Sequence, residues 1–84
     1  MMKPIKNGIK IIGYTDDFGG KTIVYNEKRS KVGEISKFGT KYTAKDLRFR
    51  VVAEYDERTN ETKDSRFRRL GKGNMLIELL LKNS

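Results

Sequence analysis

Two tripeptides concentrate the chemistry of this 84-residue chain, Arg48-Phe49-Arg50 and Arg66-Phe67-Arg68. A guanidinium is a planar fork that grips phosphate bidentately and stacks on bases, and an aromatic ring beside it offers a face for an unpaired base. In an extended strand, alternation places Phe49 and Phe67 on one face and the four arginines on the other. If the two segments pair antiparallel with Phe49 near Phe67, the arginines become neighbours on one exposed surface. Like charges so placed repel, and a polyanion relieves that repulsion. Sheet faces lined with Arg and aromatics are a recurrent platform for RNA or single-stranded nucleic acid. The plainer alternative is an amphipathic hairpin whose arginines pair with nearby acids, Arg66 with Glu54 for example.

Other side chains extend the pattern. Arg69 follows the second tripeptide, Lys72 sits between Gly71 and Gly73, and Lys41 and Lys45 flank Tyr42 in an expected loop where the ring could stack on a base. The expected nucleic-acid-binding set is therefore Arg48, Arg50, Arg66, Arg68, Arg69, Lys41, Lys45, Lys72 and Tyr42. Tyr14, Tyr25 and Phe38 also lie among lysines, but aromatics in short strands more often serve the core.

Net charge supports this reading. Nineteen Lys and Arg against eleven Asp and Glu give +8, and five of those acids fall within 54–64, which leaves seventeen bases and six acids on the other 73 residues. Polyanions are the first partners such a field attracts. With no His and no Cys, the usual general base, thiol nucleophile and transition-metal ligands are missing, so no enzyme, cofactor or metal site is expected. Gly19-Gly20-Lys21-Thr22 looks like the tail of a phosphate-binding loop but has Thr15 where that loop needs glycine. Asp16-Asp17 offers two carboxylates with no third ligand, and Asp17-Phe18-Gly19 matches a kinase triplet in a chain far too short for a kinase.

The elements that must position these residues are short. Residues 1–8 read as a flexible basic arm, and 9–84 as one small domain. Ile9–Tyr14 and 21–26 read as strands joined by a loop of about six residues, and 32–36 as a third after a turn at 26–31. Thr43-Ala44-Lys45-Asp46 resembles a helix capping box, but Leu47, Phe49, Val51, Ala53 and Tyr55 alternate at period 2, which marks 47–55 as a strand. The acidic stretch then forms a loop, and 65–70 repeats the Arg-aromatic-Arg strand. Residues 74–82 fit a short helix capped by Asn74 or equally a buried strand. No internal repeat is long enough to suggest an array. The expected fold is α+β and β-rich, a small antiparallel sheet of four to five strands with one short C-terminal helix.

The apolar segment Met75–Leu81 must be covered, either by the domain itself or by a second copy in a homodimer. It is far short of the roughly 20 residues that a membrane span needs, and the first residues lack the apolar run of a signal peptide, so a cytoplasmic location is expected. Function is expected to be non-catalytic binding of RNA or single-stranded nucleic acid with little sequence preference. The alternative draws on composition alone: short, Lys-rich, Cys-free chains are common among phage and mobile-element products. On that reading the protein is a counter-defence inhibitor that blocks a host nuclease or toxin, with RNA bridging the two.

Overall fold

Runs rich in β-branched and aromatic residues, punctuated by glycine pairs and by Asn- or Asp-led turns, form strands whenever neighbours can pair with them. In a computed structural model, which describes residues 2–82, they form eight strands: β1 (Lys3–Asn7), β2 (Lys10–Phe18), β3 (Lys21–Asn26), β4 (Lys31–Phe38), β5 (Lys41–Asp46), β6 (Val51–Asp56), β7 (Glu61–Asp64) and β8 (Arg69–Lys72). One helix follows, α1 (Leu76–Lys82). The strands pair antiparallel in chain order as one sheet. The expected α+β fold of four to five strands is thus replaced by an eight-stranded meander with a single short helix.

The differences have local causes. Residues 3–7, expected to be an arm, pair with β2 from Lys3 opposite Thr15 to Asn7 opposite Lys10. The expected six-residue loop contracts to Gly19-Gly20, whose φ angles of 56° and 81° suit the tight hairpin turn that matches strand twist. Asp16, Asp17 and Phe18 are thereby released into β2. Residues 43–46 do not cap a helix but complete β5, paired with β4 and β6 on its two sides. The alternating segment 47–55 divides, with Leu47–Arg50 turning and the strand beginning at Val51.

A repeat emerges from the pairing. Gly13, Gly33, Ala53 and Gly71 occupy equivalent positions, as do Val24, Ala44 and Thr62, and Asn26, Asp46 and Asp64. Successive units are 20, 20 and 18 residues apart.

The sheet curls about α1. Leu76 and Leu80 are buried against Val24, Val32, Ile35, Ala44 and Ala53, and each such leucine stabilises the fold by about 1.5–3 kcal/mol. The small residues form the floor under the helix. A Cβ on Gly33 would stand 2.5 Å from the Lys45 carbonyl and 2.7 Å from Leu80 Cδ2, one on Gly13 would stand 3.0 Å from Leu81 Cδ2, and one on Gly71 would stand 3.2 Å from Met75 Sδ. The helix therefore packs across β2 to β6, with Met75 just before it reaching β8, and Leu76 and Leu80 are buried within the chain while Met75, Ile77, Leu79 and Leu81 are half-buried. Thr62 Oγ1, fully buried, donates to the Gly73 carbonyl at 2.7 Å and accepts from the Met75 amide at 3.2 Å. Asn74 Oδ1 accepts from the Leu76 amide at 3.1 Å, the expected cap. No described helix is long and apolar enough to cross a membrane.

A meander sends alternate turns to opposite ends. The β1–β2, β3–β4, β5–β6 and β7–β8 turns share one end, and the β2–β3, β4–β5 and β6–β7 turns share the other with the entry to α1.

Candidate nucleic-acid interface

Three turns of the first end are built alike. Asn26 Oδ1 accepts from the amides of Lys28 and Ser30 at 2.9 and 3.0 Å. Asp46 Oδ1 accepts from those of Arg48 and Arg50 at 2.9 and 3.0 Å, and Asp64 Oδ1 from those of Arg66 and Arg68 at 2.9 Å each. In each turn the first residue exchanges backbone hydrogen bonds with the fourth and fifth. The fourth residue, Arg29, Phe49 or Phe67, takes φ of 64°, 61° or 64°. An Asn or Asp side chain that binds amides two and four residues on competes with the ladder and ends the strand. The Arg-Phe-Arg triplets are accordingly turn tips, not strand faces, and the expected Arg-lined sheet face does not form.

The arginines nevertheless converge, because the two turns neighbour one another along the same end. Arg50 Nε lies 3.4 Å from Asp46 Oδ2, Arg68 Nε lies 3.0 Å from Asp64 Oδ2, and Arg69 Nη1 donates to Glu61 Oε2 at 2.9 Å. Among the described residues, Arg48 and Arg66 have no acid within ion-pair distance. The Arg66–Glu54 pair is not formed, since Glu54 stands opposite Lys63 on β7. The amides of Arg50 and Arg68 are the chief reason why the Asp46 and Asp64 carboxyls are held below the usual carboxylate range, with the amides of Arg48 and Arg66 and the guanidinium groups adding to it. Both acids stay ionised while they clamp their turns.

Charge divides sharply between the ends. Segments 6–10, 25–31, 45–51 and 63–69 hold twelve Lys and Arg against three Asp and Glu, a net +9. Segments 15–22, 35–42, 55–61 and 72–78 at the opposite end hold five against six, a net −1. Arg48, Arg50, Arg66, Arg68, Arg69 and Lys45 thus share the basic end, while Lys41, Lys72 and Tyr42 do not reach it. Tyr42 lies on the concave side, where its hydroxyl donates to Glu57 Oε1 at 2.6 Å, its ring centroid is 5.9 Å from that of Tyr55, and Lys37 Nζ sits 5.2 Å above it. Those bonds, from Tyr42 first and Lys37 second, hold the Glu57 carboxyl down, and Tyr42 and Glu57 hold the Lys37 ammonium up. Tyr42 is half-buried.

Lys28 and Arg29, whose turn is the third member of the row, and Lys6, Lys31 and Lys63 beside it lie outside the expected binding set. The available signal was the spacing Asn/Asp-x-Lys/Arg-x-Ser/Arg at 26–30, 46–50 and 64–68. The row also presents apolar tips: Phe49 is 66% exposed, Phe67 70%, and Leu47 and Ile9 are exposed too. A shallow cleft of about 500 Å3 runs between two of the turns, lined by Asn26, Lys31, Val32, Leu47, Arg48 and Arg50 among others. Adjacent side chains on β2 point to opposite faces, so Asp16 and Asp17 do not converge, and no acid cluster fit for a metal occurs among the described residues. Comparison with family models, curated proteins and solved structures finds no match to this chain.

Proposed function

We propose that the protein binds RNA or other single-stranded nucleic acid at the basic end of its sheet, with little sequence preference and without catalysis. One observation carries this reading: twelve of nineteen cations gather at one end with three acids, while the opposite end of the same sheet is slightly negative. So polar a distribution presents a focused positive field to a polyanion. The left-handed backbone at Phe49 and Phe67 adds support, because bulky residues rarely adopt it and strain of this kind collects at binding sites.

The test is fluorescence anisotropy of a labelled 20-mer of uridine, repeated over a range of salt. Affinity should fall steeply as salt rises, and each lost phosphate contact should reduce the log–log slope by about 0.7. Replacing Arg48, Arg50, Arg66 and Arg68 together by Ala should abolish most binding while circular dichroism shows the sheet intact. A folded quadruple variant with undiminished affinity would refute the reading and give the lead to the host-protein inhibitor.

A further inference from the structure

We infer that the bound polyanion is a single strand laid across the turns, perpendicular to the β-strands, with Arg48 and Arg66 on its phosphates and Phe49 and Phe67 stacked on its bases. The inference deepens the nucleic-acid reading above and rests on it. Successive turns of the basic end are two strands apart, or about 10 Å along the sheet. A nucleic-acid strand rises about 3.4 Å per nucleotide, so one turn serves roughly three nucleotides and the row from 27–30 to 65–68 roughly six.

The two arginines of each triplet differ in what they are free to do. Arg50 and Arg68 lean back on Asp46 and Asp64, 3.4 and 3.0 Å away, and fasten their turns. Arg48 and Arg66, one position before the aromatic, have no such partner among the described residues. The phenylalanine between them stands at the one turn position where glycine would be cheaper, with φ near 60°, and keeps about two-thirds of its surface open. A ring held that way can stack on a base that is already unpaired, and the stacked interior of a duplex gives it nothing to hold.

The experiment uses the full chain with labelled oligouridines of 3, 6, 9, 12 and 20 nucleotides, a 20-base-pair RNA duplex, heparin as a plain polyanion, and phosphatidylserine-containing vesicles. Affinity should climb with length to about six to nine nucleotides and then flatten, and the duplex should bind at least about tenfold more weakly than the 9-mer. Phe49→Leu/Phe67→Leu keeps apolar bulk but not stacking, and should weaken the 9-mer by about tenfold or more while leaving heparin binding unchanged. Arg48→Ala/Arg66→Ala should lower the salt slope for the 9-mer by about 1.4. Equal affinity for duplex and single strand, or a folded Phe variant that binds like the parent, would overturn the strand-across-turns geometry and leave a simple polyanion site. Binding to vesicles but not to the 9-mer would overturn it in favour of a lipid surface. If neither heparin nor any oligonucleotide binds the parent chain, the nucleic-acid reading itself fails.

Discussion

The two ends of this sheet are made by turns of one meander, yet they fill their left-handed backbone positions with different residues. At the near-neutral end those positions belong to Gly19, Gly20, Gly39, Asn60 and Gly73, while at the basic end they belong to Gly8, Arg29, Phe49 and Phe67. Glycine and asparagine accept positive φ cheaply, whereas a phenylalanine there is strained by about 1–2 kcal/mol. A turn that serves only the fold has no reason to keep that strain. On the proposed reading, side chains at the basic end are held for what they can touch, and charge separates the ends in the same sense, +9 against −1.

The largest expected effect breaks both ends at once. Leu80→Ala should remove about 2–5 kcal/mol of stability, and Gly33→Ala should be as damaging because its Cβ would strike the Lys45 carbonyl and Leu80. Urea unfolding measures both. A small loss in either case would mean that the helix is not the common support. A smaller effect sharpens the contrast directly: Gly20→Ala should lower stability by about 1 kcal/mol, whereas Phe67→Gly should raise it by about 0.5 kcal/mol and still weaken the 9-mer. Equal signs in the two unfolding midpoints would erase the distinction between the turns.

The smallest effect concerns acid. Asp46 and Asp64 have folded pKa values below the ordinary range, so their stabilisation is fully present above about pH 4. It is lost as pH falls through the folded values. Asp46→Asn/Asp64→Asn should fold normally, since Asn26 already makes the same two bonds, and should flatten the decline of melting temperature between pH 5 and pH 2.5. Asp56 and Glu57 at the other end contribute with the same sign, so the difference between parent and variant is the readout. Identical pH profiles would show that the two carboxylates do not clamp their turns through charge.

What the residues determined by themselves was local. The run 21–26 became β3 within the stated bounds, and Asn74 capped a helix because its side chain reaches an amide two residues on, a contact that depends on no distant part of the chain. Composition likewise left the chain without imidazole or thiol groups. Alternation misled at 47–50 because an Asp-clamped turn of five residues preserves odd-even order, so Leu47, Phe49 and Val51 read as one strand although the backbone reverses between them. The repeat escaped notice because equivalent sites share size or hydrogen-bonding capacity rather than identity: Val24, Ala44 and Thr62, or Asn26, Asp46 and Asp64. Tertiary structure alone decided which cations stand together. Strand pairing is non-local, and the parity of a meander brings Lys28, Arg29, Arg48 and Arg66 to one end while it sends Lys41, Lys72 and Tyr42 towards the other.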